Sequence, residues 1–567
     1  MRKIAILLYA CLTLAGIWGC KKQLNEEPHS ILTPEFFRTT QGFKKGLDAA
    51  YAGTRMLWGT QNLFTMTVIG TDEFYTGKDG NNDINKYNSN YNTSNGTVAA
   101  VWKECYVHIN TCNGIIENAP QVTGIDEAAK DRMVAEAKFL RANFYFLLVQ
   151  FWGDVTLNKS FQTAATTAAG RNSLAEVYDF IIGDLKEAIA TPGLYASPKA
   201  AGARPGQANK AAAMHVLAKV YLTRAGSSAK KSTDYKDAYT NAMAVINNSG
   251  LALLPDFGQV YAEGNEGSNE VLWSVQHTPN LAYNGPNNSG GADNVLNHMW
   301  VPQYELQPGM MRDVFYGRPY IRCVPTPWLT NTAFQERVND TRYKKTFQTV
   351  WYCNNEASIP VWTAPLPPGA PANAVVGKPK FALGDTAIFM PGKDVTNAQI
   401  AASRYLLIPP RNYTTSLSPY MQKYNDTKRA DLNYPSIRSV IVYRLGETYL
   451  IAAEAAFMGG ATAADALNNL NVIRRRAAFP NPNPELMNVN SIPSLDFILD
   501  ERSRELCGEL TRWLDLVRTG KLEERVKLYN NEAKGNIKPF HILRPIPQSQ
   551  IDATTTGPSY PQNAGWF

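Results

Sequence analysis

Apolar residues recur at three- and four-residue steps over most of positions 34–250 and again after 436, a periodicity that predicts helices. Thr33 is placed to cap the first helix and Pro34 to open it, with Phe36, Phe37, Phe43, Leu47, Ala50, Tyr51 and Met56 following at helical spacing. Further helices are predicted over 102–118, 128–152, 174–190, 209–224 and 235–247; the second of these is apolar nearly all round from Ala142 onward and belongs in the core. Paired helices joined by short turns, with Ala at crossing points, predict an all-α, tetratricopeptide-type helical-repeat scaffold, although no clean consensus repeat emerges.

Between 251 and 435 the helical period fades. EVLWSVQ (270–276) reads as a short strand, 342–352 as strands or hairpin arms, and the rest as a large irregular, loop-rich ligand-binding insertion. Helix returns at 438 with VIVYRLGETYLIAAEAAFMGG and its antiparallel partner ATAADALNNLNVIRRRA. Then comes 499–521, where Leu499, Leu506, Leu510, Trp513, Leu514 and Val517 share one helical face. Glu501/Arg504, Glu509/Arg512, Arg512/Asp515 and Asp515/Arg518 stand at i,i+3 on the other. So many Arg beside Trp513 predict a partly covered network that ties neighbouring helices and has a structural role.

The N-terminus changes the compartment. Arg2 and Lys3, an apolar run over 4–18 and the Gly19-Cys20 pair predict a secretory leader over 1–19, with Cys20 acylated and a polar tether over 20–33. More than one acyl chain, each giving about 0.8 kcal/mol per buried methylene, makes a stable anchor without a spanning helix. The remaining 34–567 read as a single domain, with 34–250 and 436–530 mainly helical and 251–435 as the insertion. Net charge is +7, or +5 once Arg2 and Lys3 leave with the leader, and it is too dispersed for nucleic acid. Five cysteines would remain free of lipid, an odd number that excludes a fully paired disulfide scaffold; only a Cys323–Cys353 bridge is left open.

No nucleophile elbow, phosphate loop or metal-binding His helix occurs, and the six His are scattered without ligand spacing. Two loop regions carry the positive signal. The stretch 71–96 is rich in Asn, Gly, Asp and Tyr, with Tyr75, Asn81, Asp83 and Tyr87 as candidate ligand contacts. Asp79, Asn81 and Asp83 match half of a calcium loop, but Ile84 and Asn90 replace the needed Gly and Glu, so only loose calcium binding is compatible and no cofactor is expected. In the insertion, Trp300, Tyr304, Tyr320 and Trp328 are candidate stacking rings, because a sugar offers an apolar face to an aromatic and hydroxyls to Asn, Asp or Arg.

AEAKFLRANFYFLLVQFWGD (135–154), NEVLWSVQ (269–276), NDTRY (339–343), RLGETYLIAAEA (444–455), LNNLNVIRRRA (467–477), the 499–521 stretch, LRPIPQSQI and a closing QNAG follow one another in an order that resembles the SusD/RagB family of Bacteroidetes. Trp18 in the leader and Ala564 in the closing motif depart from that pattern. The resemblance implies a lipid-anchored protein of the outer membrane that faces outward and captures glycans, or alternatively peptides, for a SusC-like TonB-dependent transporter. It also implies a protein that does no chemistry on its ligand, and it carries over no ligand-binding residue. A secreted glycoside hydrolase and a purely structural surface scaffold are the competing readings.

Overall fold

A computed structural model describes residues 34–280, 284 and 294–566; the predicted leader, Cys20 and tether lie outside the described residues. The scaffold is built from α1 (Thr40–Thr54), α2 (Gly96–Asn118), α3 (Glu127–Trp152), α4 (Leu174–Ala190), α5 (Lys210–Ala225), α6 (Asp234–Asn248), α7 (Leu445–Ala455), α8 (Ala463–Ala477), α9 (Leu495–Leu506) and α10 (Arg512–Arg518). Each of α1 to α7 packs on the next, giving the stacked helix pairs of a tetratricopeptide-like scaffold. Caps set where they begin: Asp126 accepts from the Ala129 amide at 2.9 Å to start α3, and Ser173 with Glu176 forms a reciprocal capping box on α4. In α3 almost every side chain from Phe139 to Trp152 is buried, as its all-round apolar run requires.

The first helix is interrupted: Pro34–Arg38 stops, and Thr39, extended at φ −81° and ψ 147°, caps α1 through the Gly42 amide. A second departure involves four short strands, β1 (Phe74–Thr76), β2 (Val271–Val275), β3 (Cys323–Pro325) and β4 (Val440–Arg444). β4 was expected as the start of a helix, yet it pairs antiparallel with β2. Val440, Ile441 and Val442 are β-branched, and a five-residue run buried on both faces has no periodicity that separates strand from helix. Residues 342–352, expected as strands, open instead with the short helix Arg342–Thr346 before two brief strands. Cys323 and Cys353 are buried free thiols. Among the described residues no helix is long and apolar enough to cross a membrane.

The predicted single helix over 499–521 is broken between α9 and α10. Gly508 (φ +72°) and Leu510 (φ +60°) turn the chain there. A Cβ on Gly508 would lie 2.6 Å from Met421 Cε, so the close approach also calls for glycine. The break decides which ion pairs form. Glu501–Arg504 at 2.7 Å and Asp515–Arg518 at 2.9 Å lie on either side of it, within one helix each. Among the described residues Glu509/Arg512 and Arg512/Asp515 do not pair: the turn takes Glu509 out of the helix, and Arg512 and Asp515, although i,i+3 within α10, each take other partners. Glu509 instead meets Arg444 at 2.8 Å and Lys423 at 2.7 Å, and Arg512 grips Asp72 through two bonds of 2.6 and 2.7 Å.

These pairs cross the whole molecule and are buried. Glu505 collects Arg444, Arg342 and Arg476; Glu501 collects Arg342 and Arg474 besides Arg504; Arg518 reaches Glu454, and Arg502 bridges Asp515 to Glu447. Trp513 is fully buried with the Arg544 guanidinium 3.9 Å above its ring. Asp72 also takes Arg525 at 2.5 Å, so one carboxylate from the segment just before β1 locks onto two C-terminal guanidiniums. Burial alone would raise its pKa, but Arg512 and Arg525 outweigh burial and hold it below the usual carboxylate range. Glu73, next in sequence, lacks such a share of charge, and burial pushes it up to about 7 against a smaller pull from Arg512.

Two outcomes follow from this contrast. Arg512→Ala leaves Asp72 with one guanidinium and should lower unfolding free energy by roughly 3–5 kcal/mol, read from the urea midpoint at constant slope. Glu73 should be neutral in the fold up to about pH 7 but ionised when unfolded above about pH 4.5, so it costs stability increasingly across that window and fully above it. Glu73→Gln should therefore stabilise by roughly 2–3 kcal/mol at about pH 8 and by much less at about pH 5. An equal shift at both pH values would contradict the assignment.

Candidate functional site

A hollow of about 540 Å³ opens where the segment after β1 meets the segment before β3, lined by Gln61, Asn62, Asp79, Val295, Arg318, Pro319, Tyr320 and Arg322. β1 and β3 pair antiparallel with Tyr75 opposite Val324, which brings the two segments together. Beyond the strands the pairing continues: the Gly77 amide donates to the Arg322 carbonyl at 3.1 Å and the Asp79 amide to the Ile321 carbonyl at 3.2 Å. The backbones approach so closely at Gly77 that a Cβ there would lie 2.2 Å from the Ile321 oxygen, which is why this position needs glycine. Ile321 is held at φ +50° while its neighbours bond to the carbonyls of His298 and Met299. Gln61 and Asn62 enter from the first turn of a short helix capped by Thr60.

Tyr320 is the ring of this hollow. It is partly exposed and rests against the buried His298, with ring centroids 4.8 Å apart and a 31° tilt. His298 Nε2 lies 3.0 Å from the Tyr434 carbonyl, which places the proton on that nitrogen. Burial first, and the nearby Arg429 and Arg318 next, push the His298 pKa down to about 3, so it supports Tyr320 as a neutral imidazole. Arg318 and Arg322 each set a guanidinium carbon 5.2 Å from the Tyr320 centroid, and Arg322 also donates to the Asp79 carbonyl. The result is an aromatic face, two forked donors, two amides and one carboxylate around a cup of open space. That set can stack an apolar sugar face and satisfy its hydroxyls. Asp79 is the one carboxylate among the lining residues, and a glycosidase needs two facing each other.

Of the eight residues expected to touch ligand, only Tyr320 lines the hollow. Trp300 is buried among Phe64, Phe74 and Tyr424, with its indole 5.9 Å from and nearly parallel to the Tyr424 ring. Tyr304 is fully buried, its hydroxyl donating to the Gly317 carbonyl at 2.9 Å and accepting from the Asp313 amide. Trp328 stacks on Tyr529 under the Arg525 guanidinium and serves the ion network. Tyr87 is buried and donates to the Gly70 carbonyl at 2.7 Å. These four rings anchor long loops to the core, so no sugar can stack on them without displacing that packing.

Tyr75 is partly exposed on β1, away from the lining of the hollow. Asn81 caps the short helix Asn82–Lys86 by accepting from the Ile84 amide, and Asp83 accepts from the Asn88 amide nitrogen at 3.0 Å. The half-matched calcium loop thus folds as a capped turn, and among the described residues no three acidic, His or Cys side chains converge on a metal position. Missed from sequence were Gln61, Asn62, Arg318 and Arg322, together with the role of Asp79. The run Arg318-Pro-Tyr-Ile-Arg322 was the available signal: an aromatic with Arg two residues to either side in a loop stiffened by proline.

A roomier crevice of about 770 Å³ runs between α1 and α3, beside Lys44, Lys45, Arg132 and Arg204. It presents no aromatic face, and Glu136 at its floor is already held by Tyr51 and Gln207. The Tyr320 hollow is the better fit to a sugar.

A helical scaffold with a loop-borne hollow of stacking and hydrogen-bonding groups defines a binding protein. A family model described as "SusD family" matches residues 258–566, and one described as "Starch-binding associating with outer membrane" matches 24–222. The chain belongs to the SusD family and is a binding protein, not an enzyme. The SusD-like protein P25 of Formosa agariphila is 24% identical, covering 97% of this chain and 99% of the relative. A SusD homolog from Bacteroides thetaiotaomicron superposes with TM-score 0.71 at 21% identity over 94% of this chain and 98% of its own. Surface glycan-binding protein A from the same species, solved in complex with laminarihexaose, gives TM-score 0.66 at 20% identity over 93% and 99%.

The two classes of ring separate in a single comparison. Tyr320→Ala should weaken glycan binding more than about tenfold in titration calorimetry with little change in melting temperature. Trp300→Ala should instead cost roughly 3–5 kcal/mol of stability, read by denaturation.

Proposed function

We propose that this protein captures glycans in the Tyr320 hollow at the cell surface and passes them to a SusC-like TonB-dependent transporter of the outer membrane. The carrying observation is Tyr320 itself, a partly exposed ring fixed by His298 and flanked by two guanidiniums in a cup lined with amides. Family membership, the starch-binding and outer-membrane description of the N-terminal match, and folds shared with glycan-binding proteins all support a glycan as cargo. In this reading Cys20 is acylated, 20–33 spans from lipid to body, and 34–567 acts as one domain. One buried apolar cluster running from Phe37 to Trp566 supports the last point.

Gentle detergent extraction of cells carrying a tagged chain should co-purify a much larger β-barrel protein, and Cys20→Ser should release the chain from the membrane fraction. The extracted complex should retain an oligosaccharide in a Tyr320-dependent manner. Recovery of the chain always alone, or retention of peptides and no glycan, would contradict the proposal.

A further inference from the structure

We propose that the ligand taken into the Tyr320 hollow bears an acidic group, a carboxylate or a sulfate carried on a sugar ring; this rests on the capture site proposed above. Within the buried network, arginines meet carboxylates: Arg342, Arg444, Arg476, Arg502, Arg504, Arg512, Arg518 and Arg525 all do so. The hollow differs from that network. Arg318 and Arg322 line it on either side of Tyr320 in sequence, yet neither forms an ion pair among the described residues. Among the described residues Arg322 bonds only a backbone carbonyl, that of Asp79, and its buried Nε has no partner.

A third guanidinium lies behind the hollow, with Asp426, Asp431 and Glu263 near enough to offset part of its charge. Arg429 sits against His298 and directs its donors to the carbonyls of Asp426, Leu432, Tyr434 and Val314. No carboxylate bonds it among the described residues. Against these charges the lining offers only Asp79. A neutral sugar needs one or two such donors for its hydroxyls, whereas two guanidiniums set against one ring, neither neutralised by a carboxylate, suit the negative oxygens of a carboxylate or sulfate, and charge-assisted bonds are about twice as strong as neutral ones. Asp79 then accepts from a hydroxyl on the same ring, and Tyr320 stacks on its apolar face.

The test uses full-length protein and matched pairs of probes that differ only in charge. One pair is oligogalacturonate and its fully methyl-esterified form; the other is a carrageenan oligosaccharide and its desulfated form. Calorimetry at roughly 0.02 and 0.5 M salt reads both preference and screening. At least one acidic member should bind about tenfold or more tightly than its uncharged twin, with the advantage shrinking at high salt. The pair that shows it identifies carboxylate or sulfate as the group read. Arg318→Gln and Arg322→Gln, checked for unchanged melting temperature, should erase that preference, and Tyr320→Ala should weaken both members. Equal or tighter binding of an uncharged probe, dependent on Tyr320 and indifferent to both arginine substitutions, would overturn the proposal and leave the capture site standing. Binding that survives Tyr320→Ala would overturn both, and failure of every acidic probe to bind would overturn the proposal as well.

Discussion

Asp72 held between Arg512 and Arg525 is the contact on which the rest depends. Taking three charges out of water is expensive, and their mutual attraction offsets that only when geometry is good and every remaining donor is satisfied. Here the Arg512 fork closes on both Asp72 oxygens, its third nitrogen bonds the Leu499 carbonyl, and Arg525 extends to Asp496 and Asp500. The segment before β1 is thereby fixed to helices more than four hundred residues later in the chain. That same segment leads through Phe74–Thr76 into Gly77 and Asp79. The brace and the hollow are therefore consecutive pieces of one segment running through β1, and rigidity at one end sets position at the other.

This arrangement gives the most recognisable part of the sequence a structural role, apart from the hollow proposed to take ligand. The 499–521 stretch supplies the guanidiniums, and its family resemblance reflects a structural demand: buried ions tolerate no partial replacement. The hollow carries no such demand. Its lining comes from a helix start, a turn and a proline-stiffened loop that can change without disturbing the core.

The helical scaffold was legible because its periodicity is strong and its caps are local; α4 follows the expected 174–190 end to end. β4 was illegible because Val440–Arg444 is buried on both faces and its partner lies far away at β2. The turn at Gly508 and Leu510 was hidden for a different reason. Apolar spacing continues across it as though the helix did, and only tertiary contact with Met421 and Trp300 reveals why the chain must bend. For the candidate site, aromatic content in irregular sequence pointed to the insertion, and the structure buries three of the four rings expected there. Trp300, Tyr304 and Trp328 are the large rings, and large rings are what a long loop needs to anchor itself. Tyr320, the partly exposed ring of the hollow, is marked by its neighbours Arg318 and Arg322.

The proposed surface capture needs a site ready before the ligand arrives, since ordering loops on binding would weaken the grip. Tyr320 meets that need: its backbone bonds the His298 carbonyl, its ring rests on a neutral imidazole, and its loop is zipped to the segment the ion brace holds. A crystal structure of the protein with a bound oligosaccharide tests this most directly. The account predicts a sugar ring stacked on Tyr320 between Arg318 and Arg322, with the surrounding backbone unmoved. A sugar seated in the crevice between α1 and α3, or a hollow that has to rearrange to admit it, would contradict it.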